Sequence, residues 1–161
     1  MPIGQHADFA ACVAANQDKD DPHAYCAALE EASKRFEVVK LDEAEHLVFG
    51  WASVSVRDGD ELLTDLQGDR IEPEQLEKAA YDFVEHSREA NEMHQSPPVG
   101  QLVESFALTP EKLDVMGLLR KSAPKVAYWV GFRVSPAVFA KVKAGQLPMF
   151  SIEGTAERVA A

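Results

Sequence analysis

Val126-Ala127-Tyr128-Trp129-Val130-Gly131-Phe132-Arg133-Val134 is the most strand-like run in the chain. β-Branched and aromatic side chains dominate it, and these fit a pleated, half-buried surface. A second such run is Leu47-Val48-Phe49-Gly50-Trp51-Ala52-Ser53-Val54-Ser55-Val56, in which Val54 and Val56 alternate with Ser53 and Ser55. Asp58-Gly59 behind it is a hairpin turn signal. Further extended pieces are predicted over 38–41, 62–66, 99–108 and 149–159.

Helices are predicted between these strands. After Pro73, the residues Leu76, Ala79, Ala80, Phe83 and Val84 keep the spacing of one buried helical face. Thr109-Pro110 opens a short helix that Gly117 ends, and Ser135-Pro136 opens another that ends at Gly145. The polar stretch 87–96 reads as a loop. The order β-β-β-α-β-α-β-α-β predicts an α+β fold, with a curled or closed, barrel-like mixed sheet and flanking helices.

The first 36 residues read differently. Phe9, Cys12 and Val13 share one helical face, and Asp21-Pro22 starts a second helix with Tyr25, Cys26 and Leu29 on one side. This predicts an αα-hairpin over 1–36 in front of a domain over 37–161. Cys12 and Cys26 fall on the facing apolar sides. Small buried thiols joining the helices come first as an explanation, a disulfide second, and a zinc site with His6 and His23 third.

The chain has 16 basic and 27 acidic residues among 161, a net charge of −11, and a sequence pI near 4.8. That charge argues against nucleic acid, whose binding needs phosphate-neutralising Lys and Arg, and against anionic membranes. The uncharged run 47–56 is far shorter than the ~20 residues of a membrane span. The N-terminus shows no basic and apolar leader, so a reducing cytoplasm is the expected compartment.

Two residues could carry chemistry. His94, in a polar loop before a strand, can act as a base near neutral pH. Ser151, between Phe150 and Ile152, can be a nucleophile if a histidine accepts its proton. Alternation predicts Phe150 and Ile152 turned to the core and Ser151 turned away. Glu104 and Glu153 are acids that could orient an imidazole. Taken singly, each of these is more often a solvated residue. The acids around Asp58 to Asp69 lack the glycine of a calcium loop at its sixth position, which is Leu63. Phosphate-loop, metal-helix and nucleophile-elbow motifs are absent, so no cofactor and no metal are expected.

Taken as an ordered set, several segments say more: Phe49-Gly50-Trp51-Ala52, Asp65-Leu66-Gln67-Gly68-Asp69-Arg70-Ile71-Glu72, Asn91-Glu92-Met93-His94, Val99-Gly100-Gln101-Leu102-Val103-Glu104-Ser105, Gly131-Phe132 and Phe150-Ser151-Ile152-Glu153-Gly154. The set resembles the XkdF-type phage serine proteases, relatives of the prohead proteases of capsid maturation, over about residues 37–157. The resemblance implies an assemblin-like β-barrel with flanking helices, His94 as catalytic histidine and Ser151 as nucleophile. It implies scaffold, major capsid and portal proteins as partners, and action in the host bacterial cytoplasm within the procapsid. Homo-oligomerisation is left open. In the better-known relatives a third catalytic residue lies well downstream of the serine. Here ten residues follow Ser151; either the site works as a Ser/His dyad, or a local acid, Glu153 or Glu104, substitutes, or the third residue lies beyond this sequence. A non-catalytic assembly module is the alternative reading.

Overall fold

Ten elements order the chain in a computed structural model: α1 (Phe9–Ala15), α2 (Pro22–Ser33), β1 (Val38–Asp42), β2 (Leu47–Val56), α3 (Pro73–His86), β3 (Glu89–Ala90), β4 (Gly100–Leu108), α4 (Pro110–Met116), β5 (Val126–Val134) and α5 (Pro136–Lys143). The structure describes residues 6, 8–33, 38–57, 61–65, 69–92, 97–117, 124–150, 152–154, 157 and 159.

The strands make one five-stranded sheet in the order β1-β2-β5-β4-β3. Every pairing is antiparallel. The mixed sheet expected from the sequence is therefore corrected to a purely antiparallel one. The sheet is also open, because β1 and β3 stand at opposite edges. Register shifts interrupt the ladders at Val38/Lys40, Trp51/Ser53, Val54/Val56 and Leu102/Glu104. Such irregularities bend a strand and increase its twist.

β5 is the central strand, as its composition suggests. Its even-numbered residues Val126, Tyr128, Val130 and Phe132 join Ala52, Val56, Leu76, Ala80 and Ala107 in the main core. Leu76 and Ala80 are the inner stripe of α3, which Pro73 starts and Ser87 ends. Burying one such leucine stabilises by about 1.5–3 kcal/mol. The odd-numbered residues of β5 face the other way. There Trp129 stacks on Phe49 at 6.4 Å and meets Trp51 edge-on at 5.0 Å. Gly131 makes this possible: a Cβ on it would stand 2.6 Å from the Phe49 ring.

The helix starts follow the sequence signals. Thr109 and Ser135 cap α4 and α5 by accepting from Lys112 and Val138 N–H, each ahead of a proline. Asp21 accepts from Ala24 N–H at 2.9 Å. Gly117 and Gly145 stop their helices at φ 65° and 71°, where a Cβ is penalised.

Three expectations change. Over 62–66 the described residues hold no strand, only a bridge from Thr64 to Arg70 and a bond from Leu63 N–H to Ser55 O at 2.8 Å. Over 149–159 the described residues form no strand, and Ile152 is 50% exposed rather than buried. The thiols of Cys12 and Cys26 are fully buried and joined in a disulfide, with Cα atoms 6.0 Å apart. That replaces free core thiols and leaves no thiolate for zinc. With Leu29, Phe9 and Val13 they form a small cluster separate from the sheet core. Tyr25, expected beside them, is 39% exposed.

Candidate active site

The stretches that lead to His94 and to Ser151 are each anchored to the sheet, the first through β3 and the second at the β1 side. α3 ends where the N–H groups of Ser87 and Arg88 both donate to Phe83 O at 3.0 Å. Arg88 then takes a left-handed φ of 63°, which reverses the chain into β3. β3 lies against the start of β4, with Ala90 opposite Gly100 and Glu89 opposite Gln101. Val99 N–H closes the corner by donating to Ala90 O at 2.7 Å. Gly100 is needed there, since a Cβ would meet Val134 Cγ1 at 3.0 Å and Ala90 Cβ at 3.4 Å. Next along the chain, Glu92 accepts two bonds from Lys141 Nζ of α5, at 2.7 and 2.9 Å. This pins the approach to the His94 loop against α5.

The approach to Ser151 is pinned from the other side. Pro148 O accepts from Val38 N–H at 2.9 Å, which ties the segment after α5 to the β1 edge. Phe150 then packs on Phe132, ring centroids 5.8 Å apart. Phe150 and Ala90 both lie against the main core cluster. The residue before Ser151 and the residue four before His94 thus both touch the main core, which extends across β2, β5 and β4. His94 and Ser151 themselves lie outside the described residues.

The two candidate acids are placed elsewhere. Glu104 sits opposite Gly131, on the odd-numbered face of β5, and accepts from Trp129 Nε1 at 2.9 Å. That is the face away from Phe132 and Phe150. Glu153 is exposed.

Sequence reasoning missed a polar cluster between α3, β4 and α4. Lys112 Nζ donates to Tyr81 Oη at 3.0 Å and to Ala107 O at 2.8 Å, and pairs with Glu77. Tyr81 Oη in turn donates to Glu77 Oε1 at 2.7 Å. The Lys112 hydrogen bond, helped by that of Tyr81, holds the Glu77 carboxyl below its usual value. Burial works to lower the Lys112 ammonium, but its bonds to Glu77 and Tyr81 outweigh that and raise it. All three ammonium donors are engaged, so Lys112 serves as a clamp and not as a base. The one available signal was the i, i+4 spacing of Glu77 and Tyr81 on α3. Beneath it, Tyr128 Oη and Ser105 Oγ are 3.0 Å apart. Burial pushes the Tyr128 phenol up, and the Ser105 bond opposes this in part.

A family model described as "Putative phage serine protease XkdF" matches residues 35–160. A protein of Bacillus subtilis (strain 168), "Uncharacterized protein YqbD", is 28% identical over 96 residues, which are 59% of this chain and 29% of that protein. The chain therefore spans less than a third of that relative's length. No solved structure matches the chain.

Proposed function

Since the chain belongs to the XkdF family of phage serine proteases, we propose that it is a serine endopeptidase of capsid maturation. It acts in the host bacterial cytoplasm, within the procapsid. Its substrates are scaffold and head proteins, and the protease itself. Ser151 Oγ attacks the scissile carbonyl carbon while His94 takes the hydroxyl proton. His94 then gives that proton to the departing amine, which leaves an acyl-enzyme. Water, deprotonated by His94, attacks the acyl carbon and releases Ser151.

What carries this reading is the family match over residues 35–160. Phe150 and Ala90, ahead of the serine and the histidine, both pack against the main core cluster. The Glu92–Lys141 pair and the Pro148 carbonyl hold the two approaches.

Co-expression with the cognate head proteins tests it. Ser151→Ala and His94→Ala should each lower processing by about a thousandfold or more. A fluorophosphonate probe should label wild type and not Ser151→Ala. Unchanged processing in both variants would leave the second reading, an assembly module that binds head proteins without cutting them. One observation favours that second reading: Glu104 is held by Trp129 on the far face of the sheet, away from Phe150.

A further inference from the structure

The open edge of β4 has the features of a strand receptor. β5 pairs along β4, but on the other edge β3 covers only Gly100 and Gln101, and Arg88 O accepts from Leu102 N–H at 3.0 Å. The backbone parity of this edge is set by β5. Val134 N–H donates to His46 O, on the β2 side, so even-numbered residues of β5 aim their backbone at β2 and odd-numbered ones at β4. Glu104, Phe106 and Leu108, which face Gly131, Trp129 and Ala127, therefore bond to β5. Ser105 and Ala107 aim outward. The Ala107 carbonyl confirms this parity, because Lys112 Nζ reaches it from outside the sheet. Among the described residues, Ser105 N–H, Ser105 C=O and Ala107 N–H have no backbone partner.

A cleft of about 290 Å³ runs beside this edge. Its walls are Ala80, Tyr81, Val84 and Glu85 of α3 and Ser105, Phe106 and Ala107 of β4, with Lys112 of α4, which Glu77 neutralises, at one side. Tyr81 is 50% exposed and Val103, at the bulge where the open edge begins, 45%.

We propose that the edge from Glu104 to Ala107, with its cleft against α3, binds an extended polypeptide segment as a sixth, antiparallel strand of the sheet. The unpaired, strand-spaced backbone groups are complementary to another backbone. β3 already uses the same edge two residues further back. Alternate side chains of the guest would face the apolar α3 wall and the exposed acid Glu104. The segment is therefore one of alternating apolar and basic residues. A second copy of the chain is the less suitable guest, since each copy carries a net charge of −11. That the guest belongs to a polypeptide about to be cut rests on the protease reading; its capture by β4 does not.

The test uses the full chain carrying Ser151→Ala, so binding is read without cleavage. The probe is a fluorescein-labelled hexapeptide of alternating valine and lysine. Its control is the same peptide N-methylated at alternate amides, which keeps charge and side chains but removes strand bonding. The control should bind about tenfold or more weaker. Saturating peptide should slow exchange of the Ser105 and Ala107 amide protons by about tenfold or more. Ser105→Pro, which removes an outward N–H, should lose binding, while Ser105→Ala, which removes only the hydroxyl, should keep it. Equal binding of both peptides, or protection confined to the Trp51 and Trp129 face, would overturn the proposal. Sedimentation showing a dimer that protects the same amides without peptide would overturn it in favour of self-pairing. Cleavage of the peptide by the wild-type chain is scored separately, so failure of the protease reading leaves the binding result intact.

Discussion

At the scale of single residues, the aromatic face depends on a missing side chain. A Cβ at Gly131 would collide with Phe49 at 2.6 Å and crowd Glu104 Cβ at 3.1 Å. Phe49 is only 6% exposed, so its ring has no free space to retreat into. Gly131→Ala should cost about 1–3 kcal/mol in urea unfolding, and adding Phe49→Leu should recover part of that. Tyr128 gives a spectroscopic counterpart on the other face. Its phenol is raised above 10.0 by burial. The unfolded chain therefore ionises first as pH rises, so this residue's share of stability is complete below pH 10 and declines above it. Tyr128→Phe should remove a phenolate absorbance that appears above pH 10 and shrink the alkaline loss of stability.

At the scale of elements, the disulfide and the Lys112 clamp make opposite demands on solution conditions. Closing a separation of 14 residues by a cross-link adds about 3 kcal/mol in the chain-entropy view. Reduction should therefore melt α1 and α2, seen as lost helical circular dichroism. The sheet should keep its unfolding midpoint, because its core is a separate cluster. The clamp responds to pH instead. Glu77 is lowered, so its contribution is present above about pH 4.5 and fades as pH falls; Lys112 is raised, so its contribution fades only above about pH 10.5. The pair is about one-third exposed, and Glu77→Gln should cost about 0.5–1 kcal/mol at pH 7 and flatten the acid limb of the stability profile.

Much of this was legible in the sequence where local chemistry decides. Pro73, Thr109-Pro110 and Ser135-Pro136 start helices, and the valine-rich runs form β2 and β5. What was not legible needs a partner from elsewhere. Glu89 and Ala90 carry no strand signal; they are a strand only because Gly100 and Gln101 lie opposite. The run after Met149 has strand composition, but in the described residues no ladder forms around it. The cysteine spacing fitted thiols and a disulfide alike. For the site, the order of motifs pointed to His94 and Ser151, while no pattern could show that Ala90 and Phe150 meet one core.

At the scale of the whole molecule, the described residues form two hydrophobic clusters of unequal size, and the chain carries one strong charge sign. A chain lacking residues 1–36 should keep the sheet, shown by an unchanged urea midpoint for the tryptophan fluorescence of Trp51 and Trp129. Under the proposed role in capsid maturation, a charge of −11 would keep the protein apart from the DNA that fills the shell.

The central position of β5 has a consequence for how the protein is made. β2 and β4 both pair with a strand that begins only at Val126. A nascent chain leaving the ribosome therefore cannot join β2 to β4 until Val126–Val134 has been synthesised. Until then β2 has only β1 for a partner, and its β5-facing edge waits unpaired. Such long-range pairing slows folding to the millisecond-to-second range. A chaperone that shields 47–56 during translation would raise yield, and a synonymous pause placed after codon 134 would do more for it than one placed earlier.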